Sequence, residues 1–310
     1  MIALRRSGGS LWGAAAVCIA TVLAVPVLAV LSSLAFPEGE VWLHLLRTQL
    51  LELVVNTVLL LAGVGAGTLV VGTGLAWLIV HHRFPGRAVL EWALILPLAV
   101  PAYVLGFAFL GLFDFAGPVQ SALRGWLGPG LRLPELHSYW GVVLMMTLAF
   151  YPYVYLLARA AFRDQGTAPL ETALTLGRSR WQAFLGVTLP MARPSLVAGV
   201  ALAMMEALAD FGTVSTFGYR TLTEAIYRVW YGMFDRVAAT QLASVLVVFA
   251  LALILLERTS RGRARFTQTA RRGPAPRAKC TGRSWRTPTR RSGASCRRWT
   301  PRGSRSERSS

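Results

Sequence analysis

Six stretches of this 310-residue sequence are long and apolar enough to cross a bilayer, and this limits the possible folds more than any other feature. A span needs about 20 predominantly apolar residues to cross roughly 30 Å of hydrocarbon at about 1.5 Å per residue. Residues 11–34, 53–80, 88–113, 139–161, 195–216 and 238–256 meet that requirement. In hydrocarbon every backbone N–H and C=O must be paired within its own segment, so such runs form helices. The expected fold class is all-α: a polytopic bundle of six transmembrane helices occupying residues 1–257, followed by a tail over 258–310. The first run follows Arg5 and Arg6 like a signal peptide, but it is longer than the roughly 7–15 apolar residues of a cleaved signal and is read as a retained helix.

The net charge of +18 suits a nucleic-acid binder until it is divided by position. Residues 258–310 hold 17 Lys+Arg against one acid, Glu307, whereas the apolar body is nearly neutral. Within the body, arginines are more frequent in segments 1–10, 81–87 and 159–194 than in the alternate loops. Arg258, Arg261, Arg263 and Arg265 follow the sixth run on that same side. The positive-inside bias then places both termini and the 162–194 loop in the cytoplasm. The three cysteines, Cys18, Cys280 and Cys296, form no CxxC and have no histidine at metal spacing. The adjacent His81 and His82 read as polar loop residues, so no metal site is expected. Lys279, the only lysine, lies outside any Gly-Lys-Ser/Thr phosphate loop, so a nucleotide that powers this protein must bind to another chain.

Pro26, Pro97, Pro101 and Pro152 fall inside the spans, and Gly63-x-x-x-Gly67 is a small-xxx-small pair, as helix bends and close packing require. Between the fourth and fifth runs lies a segment neither apolar enough to insert nor polar enough for disorder, ETALTLGRSRWQAFLGVTLPMARP. Pro169 suits a first helical turn and Glu171 a helix N-terminus, while Gly177 can end that helix. A second short helix from Ser179 is expected to stop at Pro190. Two short helices on the membrane face make a docking surface.

This segment resembles the coupling loop of ABC importer permeases, E-A-A-x3-G-x9-I-x-L-P. Glu171, Thr172, Ala173, Gly177, Val187, Leu189 and Pro190 stand at those spacings. Thr172 for alanine and Val187 for isoleucine are the departures. The resemblance implies a transport channel rather than an enzyme, without cofactor, whose glutamate-to-glycine helix fits a groove on a cytoplasmic ABC ATPase subunit. The further partners implied are a periplasmic substrate-binding protein, a second permease half (its own copy or a separate chain) and the lipid bilayer of the inner membrane. No nucleic acid partner is expected.

From about residue 51 to 265 the chain also resembles the N-terminal half of ferric-iron permeases. Permeases for thiamine, sulfate, polyamines and phosphonates are near relatives. Glu206 and Asp210, four apart and so expected on one helix face, are candidates for the translocation path. A carboxylate near the bilayer centre costs about 2.5–3.5 kcal/mol, and hard oxygen donors suit Fe3+. The competing reading makes them packing residues paired with backbone or an arginine. Tyr151, Tyr153 and Tyr155 could line the same path, but packing is the simpler assignment.

Ferric permeases of this type carry two six-span halves, and this resemblance stops near Arg272. Beyond Arg272 the sequence contains no Leu, Ile, Val or Met, and that composition predicts disorder. It reads either as a basic tail attracted to anionic lipid or nucleic acid, or as a misread frame in place of a second half. The missing aliphatic residues favour the misread frame. The rival functions are a membrane-anchored lipid or nucleic-acid binder and a secondary transporter, and the coupling motif argues against the latter.

Overall fold

The computed structural model describes residues 7–33, 40–128 and 135–261. The basic tail from residue 262 onward, with its expected disorder, lies outside the described residues. Six segments within the described residues are long and apolar enough to cross a membrane, and no strand occurs among them. The helices are α1 (Ser7–Ser32), α2 (Glu40–Thr48), α3 (Leu50–His81), α4 (Arg87–Ala93), α5 (Ala102–Phe113), α6 (Pro118–Leu127) and α7 (Tyr139–Gln165). They continue with α8 (Ala168–Thr175), α9 (Arg180–Ala183), α10 (Leu189–Ala209), α11 (Phe211–Thr216), α12 (Leu222–Tyr227) and α13 (Arg236–Arg261). The last helix carries Arg258 and Arg261, residues assigned from composition to the tail.

Two spans differ from their sequence outlines. The third, expected as one run over 88–113, is built in pieces: α4, a 3-10 turn Leu96–Ala99, then α5 and the amphipathic α6. Pro97 sits in the first turn of the 3-10 segment, and Pro101, at φ −54° and ψ 135°, precedes α5. Neither proline can donate to a preceding carbonyl, and Pro101 holds Val100 in extended backbone at φ −112° and ψ 130°, so the helix is interrupted here. The fifth span, expected over 195–216, begins earlier and ends sooner, because Asp210 leaves helical geometry with ψ 95° and starts α11.

The central helix is α7, whose residues Val142, Met146, Val154, Tyr155 and Ala158 are almost wholly enclosed. Its main neighbour is α3, and Gly63, Gly67 and Gly72 of α3 all face it. At Gly72 a Cβ would stand 2.9 Å from the Tyr151 carbonyl oxygen and 2.9 Å from the Tyr155 nitrogen, so the two backbones meet with no room for a methyl group. Lipid tails are as apolar as leucine, so this contact is held by packing rather than by water exclusion. Tyr151 and Tyr155 accordingly belong to the core, whereas Tyr153 is only partly enclosed.

One end of the bundle gathers the segments that carry the site. Ala76 and Ile79 of α3, Tyr151 to Phe162 of α7, and Phe184, Ala192 and Leu196 form one apolar cluster, against which Leu90, Leu94 and Ile95 pack. At the other end Trp42, Leu45, Leu53, Leu222, Val229 and Leu242 form a second cluster. The first span, α1, is exposed along Trp12–Ser32 and meets α13 through Ser244, whose hydroxyl donates to the Val30 carbonyl at 2.5 Å.

Candidate functional site

The segment between α7 and α10 folds as two short helices separated by one sharp turn. Pro169 occupies the first turn of α8, where its missing N–H has no helical acceptor, and Glu171 places a carboxylate beside the unpaired amides of that terminus. Thr172 donates its hydroxyl to the Ala168 carbonyl at 2.8 Å, while Ala173 is buried beneath the helix. The helix ends in a Schellman motif. The Gly177 amide donates to the Leu174 carbonyl at 3.0 Å and the Arg178 amide to the Ala173 carbonyl at 3.2 Å. Gly177 adopts φ +81°, the left-handed conformation that this motif demands.

Ser179 then caps α9. Its hydroxyl accepts the Gln182 amide at 3.3 Å, and the Gln182 side chain accepts the Ser179 amide at 3.0 Å, a reciprocal capping box. The spacing Ser-x-x-Gln carries this signal in the sequence, although the second helix is placed there by Ser179 and Pro190 alone.

Pro190 does not stop the second helix, contrary to expectation. A π-turn, Phe184–Thr188, follows α9, with the Leu189 amide donating to the Phe184 carbonyl five residues back. This widened turn leaves space for the Pro190 ring, which then sits in the first turn of α10. One helical rod therefore runs from Arg180 to Ala209, and the segment between α7 and α10 is continuous with the fifth span. Phe184 anchors the π-turn, with ring centroids 4.2 Å from Trp77 and 6.2 Å from Phe162.

The outward face of this segment includes Glu171, Thr172, Gly177, Arg178 and Arg180, with Leu176 and Trp181 as exposed apolar residues. Val187 is half-buried in the π-turn; Leu189 and Pro190 line an apolar crevice of about 890 Å3 between α3, α10 and α13. His81 stacks on Trp77 with centroids 3.8 Å apart, a packing role for the first of the paired histidines.

Glu206 and Asp210 differ in what their carboxylates do. Glu206 is exposed on the last turn of α10, whereas Asp210 lies beyond its end. Asp210 accepts the Thr213 amide at 2.9 Å and the Thr213 hydroxyl at 2.6 Å, so it is the N-cap of α11. An aspartate before Phe-Gly-Thr competes with the helix for backbone partners and ends it, so of the two expected readings the pairing with backbone is the one that Asp210 shows. Among the described residues neither carboxylate meets an arginine. A third carboxylate, Glu91 of α4, does so twice: it accepts from Arg159 and, at 2.8 Å, from Arg163. Those partners stand 68 and 72 residues away, a separation that leaves no local signal.

Six helices of membrane-crossing length, with a two-helix loop continuous with the fifth, describe a multi-pass membrane protein. The chain belongs to the family described as binding-protein-dependent transport system inner membrane component, whose model matches residues 68–259. It is a multi-pass inner-membrane protein. It is 30% identical over 219 residues to the Fe(3+)-transport system permease protein FbpB 2 of Haemophilus influenzae, covering 71% of this chain but 39% of that relative. It is 32% identical over 199 residues to the sulfate transport system permease protein CysT of Escherichia coli, covering 63% of this chain and 70% of that one. A bacterial ABC transporter involved in alginate import shares the fold at 17% identity, with a TM-score of 0.64 over 82% of this chain and 96% of that chain.

Proposed function

We propose that this chain is the membrane-spanning permease half of an ATP-driven importer for ferric iron, with a cytoplasmic ATPase docked on the loop from Glu171 to Pro190. The observation that carries the docking reading is the continuous helical path from Arg180 to Ala209, because it joins the exposed loop to the fifth span with no intervening non-helical linker. The remaining partners are a periplasmic substrate-binding protein and a second permease half, either a second copy or a separate chain. Both termini face the cytoplasm in this reading, as the arginine distribution requires. The permease domain is taken as residues 1–257.

Ferric iron is supported by the match to the iron relative over 71% of this chain and by the exposed carboxylate of Glu206, a hard donor suited to a hard cation. A sulfate reading is favoured by a different observation, the 32% identity to a sulfate permease over 70% of that relative's length. Both are tested by expressing the chain with a second permease half, an ATPase and a binding protein, in cells lacking their own ferric and sulfate importers. Iron uptake that falls away in Glu171→Lys, with loss of co-purified ATPase, is the expected outcome. Sulfate uptake without iron uptake overturns the substrate. Equal ATPase recovery with wild type and Glu171→Lys overturns the docking site.

A further inference from the structure

The last turns of α7 carry Arg159 and Arg163, one turn apart on one helix face. Like charges at this spacing repel and destabilise the helix. Arg87, on the same short helix as Glu91, adds a third cation to this end of the bundle. A single carboxylate meets both α7 guanidinium groups: Glu91 accepts from Arg159 and from Arg163, and the side chains of Glu91 and Arg159 are each 16% exposed. The same residue is also held through its backbone, because the hydroxyl of the fully buried Tyr155 donates to the Glu91 carbonyl at 3.2 Å.

The two sides of this clamp lead to different parts of the machine. Arg163 lies three residues before Gly166, whose amide donates to the Arg163 carbonyl at 3.2 Å in the turn that launches α8. Glu91 lies in α4, immediately before the doubly interrupted entry to α5 at Pro97 and Pro101. Leu90, Leu94 and Ile95 pack on the same apolar cluster as Phe184 of the π-turn. We propose that Glu91, by bridging Arg159 and Arg163, is a positioning residue that holds the docking loop in register with the Pro97–Pro101 break. Displacement of the loop is then passed to the third membrane passage as well as to the fifth. This rests on the reading of 171–190 as the docking loop. A carboxylate shared by one largely enclosed and one exposed arginine suits such a link, because removing it leaves Arg159, 16% exposed, unpaired where water is scarce, while Arg163, 45% exposed, keeps its hydration.

The test uses the full chain in detergent without any ATPase, so it is independent of docking. Spin labels at Val89 and Thr175 report the distance from α4 to α8, and labels at Ser215 and Val237 serve as a control at the opposite end; all four positions are exposed. Cys18, Cys280 and Cys296 are replaced by serine beforehand. The expected result for Glu91→Gln is a distance distribution for the 89–175 pair broadened about twofold, with the 215–237 pair unchanged. The charge-swapped chain Glu91→Arg with Arg159→Glu places a carboxylate between two arginines again and should restore the narrow distribution. An unchanged 89–175 distribution in Glu91→Gln, or a swapped chain as broad as the single variant, overturns the proposal. Should Glu91→Gln disturb both pairs by misfolding, Arg163→Gln at the more exposed partner replaces it and is read in the same way. The expected clamp behaviour together with equal ATPase recovery by wild type and Glu171→Lys would instead reject the docking reading and leave the clamp in place.

Discussion

At Gly177 the backbone takes φ +81°, and a Cβ placed there would meet nothing within 4 Å. Within this chain the glycine is therefore required by conformation and not by crowding. A left-handed conformation costs an L-residue other than Asn or Asp roughly 1–2 kcal/mol. Gly177→Ala should thus loosen the end of α8 by about 5–30-fold in local opening. Hydrogen exchange at the amides of Gly177 and Arg178 would read this as a rate increase of that size, with Gly177→Asn much closer to wild type. An alanine variant with unchanged exchange would mean that the Schellman turn is not what holds the helix end. Asp210 illustrates the opposite case, in which a residue singled out for transport has a local structural use. Its carboxylate is committed to the amide and hydroxyl of Thr213.

Among the elements, the pairing of α3 with α7 is limited by backbone contact at Gly72. Gly72→Val would drive its side chain into the Tyr151 carbonyl, and overpacking of this kind typically costs about 1–3 kcal/mol. Gly74, two residues on, has open space around its Cβ position, and replacing a helical glycine by alanine stabilises by roughly 0.5–1 kcal/mol. In detergent, Gly72→Val should therefore lower the thermal midpoint while Gly74→Ala holds or raises it. Equal midpoints for the two variants would contradict the close packing of α3 on α7. The rod of α9, π-turn and α10 arises from the same kind of local constraint. Ser179 and Gln182 start it, and the widened turn carries it past Pro190 into the span.

For the whole molecule, the turn after α3, the loop between α7 and α10 and the last turns of α13 lie at one end of the bundle. Trp77, Trp181, Glu257 and Ser260 border the same crevice. The arginine bias assigns that end to the cytoplasm. A single thiol at Ser179, in a chain with its three natural cysteines replaced, should then resist a membrane-impermeant reagent in intact cells. A thiol at Arg220 should react with it. The reverse labelling would invert the orientation and remove the docking loop from the reach of any cytoplasmic ATPase.

The amino-acid sequence by itself determined the all-α class, the six candidate spans and the short helices between the fourth and fifth of them. Each of these is written in a local signal: an apolar run of bilayer length, a proline in a first turn, a glycine where left-handed backbone is needed. Tertiary structure alone decided how the pieces are joined. The fate of the helix at Pro190 depended on whether a widened turn could be anchored by Phe184 against Trp77 and Phe162, residues distant in the chain. The division of roles among the carboxylates was likewise invisible, because the capping role of Asp210 is set by where α10 ends. Glu91 acquires its two arginines only when α4 packs on α7. Local propensities act over one or two helical turns, whereas a shared ion pair 68 residues apart exists only once the bundle has closed.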